Sequence, residues 1–108
     1  MLEPLFGNKI VEKILFNLLV YESGYIRGIA HLFNIPVRGV VQQLKRLEDG
    51  GVVVSQMKGK IRLYQFNPRY PFLDELKKLL QRAIDVLPQD EIEKHYRMRT
   101  RPRRKSKP

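Results

Sequence analysis

The sequence predicts a mainly helical α+β fold with one small β-hairpin. Apolar residues recur at helical spacing in three stretches, 9–20, 36–49 and 72–86. Two short apolar stretches, 52–57 and 61–66, are separated by a Lys-Gly-Lys sequence, and the second alternates as a strand does. With 108 residues and 43% hydrophobic content, the chain can bury one small core.

The first half of the chain contains two predicted helices before the 36–49 stretch. Asn8 is placed to cap the helix over 9–20, which should end near residues 22–24, where a glycine occurs. Tyr25 and Ile26 are predicted to form a brief strand. A short helix then covers Arg27–Phe33, and Asn34-Ile35-Pro36 is a typical turn because Asn tolerates left-handed backbone and Pro favours a helix start.

The helix predicted over 36–49 has two distinct faces. Val40, Leu44 and Leu47 recur at helical spacing and should point into a core. The helix should end at Asp49-Gly50-Gly51, where glycine can supply a C-cap. A second set recurs at the same spacing on another side of the helix and should face outward: Arg38, Val41, Gln42 and Lys45.

The C-terminal part divides into a helix and a basic extension. Phe72–Val86 carries an apolar stripe, and Pro88 should end that helix. Residues 90–99 could add one or two helical turns. We therefore predict a folded domain over residues 1–87 and a flexible basic extension over 88–108. From residue 97 onward the extension holds seven basic residues: Arg97, Arg99, Arg101, Arg103, Arg104, Lys105 and Lys107.

The net charge of +10 comes mostly from residues 97–108, which hold those seven basic residues and no acidic one. Residues 1–96 hold the other 14 basic residues and all 11 acidic ones, which gives this part of the chain a net charge of +3. High basicity alone therefore does not indicate that the folded part binds DNA.

The order of the predicted elements and one continuous segment resemble a known family. Residues Tyr25–Val53, YIRGIAHLFNIPVRGVVQQLKRLEDGGVV, are similar to the recognition core of ArsR- and MarR-like winged helix-turn-helix regulators. Ala30 matches a small residue of the first motif helix, and Asn34 stands at the turn. LKRLEDGGVV resembles the family's Leu-x-x-Leu-x-x-x-Gly-Leu-Val ending. IRLYQFNPRYPFLDEL resembles the wing strand and the following dimer helix.

The resemblance implies a DNA-binding transcription regulator, expected to be a dimeric repressor. The helix over 36–49 would read double-stranded DNA in the major groove, where Arg pairs with guanine, Gln with adenine, and Val contacts a thymine methyl. The predicted base contacts are Arg38, Val41, Gln42 and Lys45. The predicted contacts to the DNA backbone, including those of the wing over 57–62, are Arg27, Arg46, Lys58, Lys60 and Arg62.

We expect the last helix to form a homodimer and the basic extension to bind DNA and raise the overall affinity. A homodimer is expected through the stripe Phe72, Leu76, Leu79, Leu80 and Ala83, and Leu5 and Phe6 are possible contributors. Two other functions remain open. The domain could be a protein-interaction module, such as an antitoxin-like partner of a nucleotidyltransferase-type protein. It could also be a sequence-neutral nucleic-acid binder acting through the basic extension.

Catalysis and cofactor binding find little support in the sequence. The chain has no Cys and two separated His, so a metal site and a thiolate nucleophile are not expected. No catalytic residues and no cofactor are predicted, and the effector, if one exists, is not identified. A membrane span is not expected because the most apolar stretch, Ile14–Val20, is far shorter than about 20 residues. We expect a cytoplasmic, nucleoid-associated protein.

Overall fold

A computed structural model describes residues 1–96 of the chain. Helix α2 (Lys9–Tyr21) lies at the centre and packs against four other helices and the second strand. The described residues form six helices and two strands, in the order α1 (Glu3–Phe6), α2 (Lys9–Tyr21), α3 (Ile26–Phe33), α4 (Val37–Asp49), β1 (Val53–Lys58), β2 (Ile61–Phe66), α5 (Leu73–Asp85) and α6 (Gln89–His95).

Helix α2 begins at the predicted cap and forms the middle of the core. Asn8 Oδ1 accepts hydrogen bonds from the backbone N–H groups of Ile10, at 2.7 Å, and Val11, at 3.2 Å. These bonds satisfy two N–H groups that the first helical turn leaves without partners. The helix ends where Glu22 adopts a left-handed backbone, with φ of 71°. Its buried residues include Ile14 and Phe16, which anchor the core.

Helices α3 and α4 form a helix-turn-helix. Asn34 takes the left-handed conformation predicted for the turn, with φ of 55°, and Pro36 caps α4. Gly39 lets α4 approach α2 closely, because an added Cβ would lie 2.5 Å from Cδ1 of Ile10. This close approach gives a reason for a glycine inside a helix, where it costs about 1 kcal/mol relative to Ala.

The two strands form the predicted antiparallel hairpin. Lys58 pairs with Ile61, so the turn contains two residues, and Gly59 takes its first central position with φ of +63°. A tight turn of this kind favours glycine there. The prediction of a strand at Tyr25 and Ile26 was wrong. Gly24 instead forms an isolated bridge to Tyr64, and Ile26 already begins α3.

The described structure continues beyond residue 87. Helix α5 matches the predicted stripe, and α6 follows it as one further short helix. Tyr96 is buried and packs edge-on against Phe16, with ring centroids 5.4 Å apart. The Tyr21 hydroxyl donates a hydrogen bond to the carbonyl oxygen of His95 at 2.7 Å. Tyr96 is thus part of the core. The sequence pattern did not predict this, because the residues around Tyr96 are mostly charged.

Helix α1 is the element that the sequence pattern did not predict. Its four residues are too few to show helical periodicity. Gly7 ends it with φ of 74° and donates its N–H to the carbonyl of Glu3. The backbone N–H of the buried Leu2 donates to a carboxylate oxygen of Glu12, which fastens the N-terminal segment to α2.

Candidate nucleic-acid interface

Helix α4 presents the predicted outward face to solvent. Val40 and Leu44 are fully buried on the inner face, and this fixes the rotation of the helix about its axis. The residues that the structure exposes together on the opposite side are Arg38, Val41, Gln42 and Lys45. All four predicted base contacts therefore lie on one accessible surface, which we call the reading face.

The charges of the reading face are not equally available. The Lys45 ammonium lies 2.8 Å from a carboxylate oxygen of Asp49, one turn further along α4, and both side chains are exposed. This hydrogen bond and the charge of Asp49 raise the pKa of Lys45. Within residues 1–96, the side chains of Arg38 and Gln42 make no hydrogen bond or ion pair. They are free to contact a ligand from the N-terminal half of the helix.

A polar chain of contacts joins the hairpin to the C-terminal end of α4. The Arg62 guanidinium donates to the Ser55 hydroxyl oxygen at 3.1 Å, and that hydroxyl donates to a Glu48 carboxylate oxygen at 2.8 Å. Arg62 therefore lies on the hairpin face that is turned toward the core and α4. It positions the wing relative to the reading face, in addition to carrying charge.

Three predicted backbone contacts meet at one groove. A groove of about 170 Å³ lies between the start of α3 and the tip of the hairpin, and Arg27, Lys60 and Arg62 all line it. Tyr25 and Ile61 complete much of its wall. Positive side chains around a shallow groove favour an anion such as a phosphate group, because each neutralised phosphate releases counterions. We call this surface the cationic groove.

The remaining hairpin residues project in different directions. Lys58 pairs with Ile61 and lies on the sheet face opposite Arg62. Met57 and Ile61 are both about half exposed at the tip. Sequence reasoning did not assign a role to these two apolar side chains. The signal that could have found them is their position beside a two-residue turn, where no core can cover them.

Arg46 lies away from the reading face. Its guanidinium donates to the side-chain oxygen of Gln43, three residues earlier on α4, at 3.4 Å. It also lines a separate groove of about 310 Å³, which has mostly apolar walls. The other residues that line this second groove are Leu5, Phe6, Val11, Leu15, Leu47, Val52, Tyr70 and Leu76.

The stripe predicted for dimerisation divides between the core and the surface. Leu80 and Ala83 are buried against the chain's own core and are not accessible to a partner. Leu76 is half-buried at the apolar groove that Leu5 and Phe6 also line. Phe72 and Leu79 remain exposed, with 63% and 39% of their surface accessible. The apolar stripe of an amphipathic helix packs in part against the core of its own domain, which explains this division.

Other predictions concern the extension, metals and the membrane. The seven basic residues of the extension lie outside the described residues. Among residues 1–96, no group of three or more His, Asp or Glu side chains is arranged to hold a metal ion. No helix in that part of the chain is both long and apolar enough to cross a bilayer.

The fold is that of a winged helix-turn-helix domain. Helices α2, α3 and α4 form its helical part, with the reading face on α4, and the two-stranded wing and the flanking helix α5 follow. No protein-family model matches the chain, and no curated protein matches its sequence. Among solved structures, it is similar to a mutant of ZitR from Lactococcus lactis in the apo form, with a TM-score of 0.55 and 16% sequence identity. The match covers 82% of this chain and 77% of that one, and it shows a shared fold.

Proposed function

We propose that this chain is a DNA-binding transcription regulator of the ArsR- or MarR-like kind, which reads the major groove with α4. The observation that carries the proposal is the reading face. Its exposed Arg38 and Gln42 have no partner among residues 1–96, and both suit base edges. Val41, with 42% of its surface accessible, can meet a thymine methyl group. Lys45 exchanges its contact with Asp49 for one with DNA.

The cationic groove is proposed to hold the DNA backbone beside the reading face. Arg27 and Lys60 contact phosphate there, while Arg62 keeps the wing in place through Ser55 and Glu48. Lys58 contacts the backbone from the other face of the hairpin. Each phosphate contact should add about 0.9 to the magnitude of the salt slope of binding. Arg46 is proposed to reach phosphate from the far flank of α4.

We further propose that two copies associate and act as a repressor. The exposed part of the stripe, Phe72 and Leu79, together with the apolar groove beside Leu76, offers surface that a second copy can cover. A two-fold dimer would place two reading faces about 34–36 Å apart, or one turn of DNA. The basic extension would add affinity without sequence preference.

The apolar groove also favours a second candidate function, that of a protein-interaction module. Leu5 has 69% of its surface accessible at this groove, and a partner other than a second copy could bury it. The oligomeric state separates the two functions. A regulator should form a homodimer by itself, whereas a module should stay monomeric until its partner is added.

The DNA-reading proposal is tested by comparing two arginine variants of equal charge. Arg38→Ala should lose about 1–3 kcal/mol of affinity for a selected site and discriminate less against a substituted base there. Arg82→Ala removes the same charge from an exposed position on α5 and is the matched control. Fluorescence anisotropy with the selected and a scrambled duplex measures both effects. Equal losses on the two duplexes for Arg38→Ala would contradict base reading.

A further inference from the structure

A pocket of about 600 Å³ lies outside the candidate DNA interface. It is bounded by the C-terminal end of α2, by α3 and by the middle of β2. Its volume falls within the range of pockets that hold small molecules. The residues that line it are Asn17, Tyr21, Ser23, Gly24, Tyr25, Gly28, Ile29, His31, Leu32 and Leu63.

Asn17 is the unusual member of this lining. It is the buried polar residue of a helix whose other buried positions are apolar, and 5% of its surface is accessible. Its side chain makes no hydrogen bond to any other residue between positions 1 and 96. Among the described residues, His95 Nδ1 is the one buried side-chain atom without a partner, so the Asn17 amide is open to the water of the pocket.

The rest of the lining indicates what could pair with that amide. Ile29, Leu32 and Leu63 supply apolar walls, and the rings of Tyr21 and Tyr25 supply flat ones. The lining contains no Asp, Glu, Lys or Arg, so it offers no countercharge to an ion. The Asn17 amide carries both donors and an acceptor, which complement a carboxamide or a similar group.

From this chemistry we propose that the pocket binds a small, uncharged, planar molecule that bears a carboxamide-like donor–acceptor pair. The ring lies between the tyrosines and the aliphatic walls, and its polar group pairs with the Asn17 amide. Binding therefore exchanges the water at the Asn17 amide for a ligand group that both donates and accepts hydrogen bonds.

The pocket is mechanically connected to the cationic groove. Gly24, in its wall, exchanges two backbone hydrogen bonds with Tyr64 of β2, at 3.0 and 2.8 Å. Tyr25 lines the pocket and also the groove that holds Arg27 and Lys60. An occupant that displaces the Tyr25 ring would change the groove where phosphate is proposed to bind. This regulatory consequence rests on the proposed DNA-binding function; the binding site itself does not.

The binding site is tested with benzamide as the probe and without DNA. In two-dimensional ¹H–¹⁵N NMR of the full chain, benzamide should cause saturable shifts of the Asn17 side-chain NH₂ and of the Gly24 and Leu32 backbone amides. Asn17→Leu should weaken this binding about tenfold, as expected for one lost hydrogen-bonded group. Gln81→Leu, a change of similar shape at an exposed position on α5, should leave binding unchanged.

Thermal unfolding provides the second measurement. Asn17→Leu should unfold at a temperature equal to or above that of the natural chain, because it breaks no hydrogen bond within residues 1–96 and adds apolar surface to the pocket wall. A lower unfolding temperature would make Asn17 a structural residue and overturn the proposal. Absence of saturable shifts, or equal benzamide affinity in Asn17→Leu, would overturn it as well. Because none of these readouts uses DNA, a failure here is distinct from a failure of the DNA-binding proposal.

Discussion

Helices α2 and α4 have the same length and use their surfaces in opposite ways. Each contains 13 residues, yet six residues of α2 are buried and two of α4 are. Helix α2 is surrounded by the domain, whereas α4 contacts it along a narrow stripe at Val40 and Leu44. The difference teaches that the fold depends on the side chains of α2 and leaves most of those on α4 available for another task.

The largest expected effect is a loss of stability caused by a substitution on the buried helix, α2. Ile14→Ala on α2 should lower the free energy of unfolding by about 2–5 kcal/mol, because Ile14 is fully buried and its removal leaves a cavity. Val41→Ala on α4 deletes an exposed side chain and should change stability by less than about 0.5 kcal/mol. Chemical denaturation measures both. Similar losses for the two variants would contradict the division between the helices.

A smaller effect sharpens the description of α4. Asp49→Asn removes the partner that holds Lys45 and takes a negative charge from the reading face. Affinity for DNA should rise about twofold at low salt. Asp85→Asn is the matched control, since Asp85 accepts a hydrogen bond from Gln81 in a similar arrangement on α5. Anisotropy titrations should show a gain for the first variant and none for the second.

The smallest effect concerns the contact between α3 and the C-terminal end of the domain. His95 stacks near Phe33, and burial lowers its pKa below the ordinary value of 6.5, an effect that Lys13 and Lys94 assist and Glu91 opposes. The unfolded chain then binds a proton that the folded chain does not. This contribution to stability is complete above pH 6.5 and is lost as pH falls toward the lowered pKa.

Thermal unfolding between pH 7.5 and 5 measures this contribution. His95→Gln should reduce the slope of unfolding temperature against pH below 6.5. His31→Gln, which changes the exposed histidine of α3, is the control. A slope that His95→Gln leaves unchanged would mean that other groups cause the acid sensitivity.

The sequence predicted most of the fold because its signals are local. The Asn8 cap, the Asn34 turn, the periodicity of α4 and the glycine turn of the hairpin each depend on a few neighbouring residues. Helix α1 has too few residues for a pattern. The burial of Tyr96 depends on Phe16, which lies far away in the sequence, so local reasoning could not find it.

The site was predictable to a similar extent. Helical spacing placed all four reading-face residues on one side of α4, as the structure finds. It could not show that Lys45 is held by Asp49 or that Arg62 is held by Ser55, because those contacts depend on side-chain direction. Nor could it separate the buried Leu80 from the exposed Leu79 within one apolar stripe. The pocket around Asn17 requires three elements to be packed together, and sequence spacing does not reveal it.

The most direct test of DNA reading by α4 is selection from a randomised pool of DNA duplexes. The full chain and a chain that ends at Tyr96, the last buried residue described, are used side by side. We predict that both chains select the same two-fold symmetric DNA site, and that the shorter chain binds every sequence more weakly. If the full chain binds all duplexes alike and the shorter chain binds none, α4 does not read DNA and the central claim is contradicted.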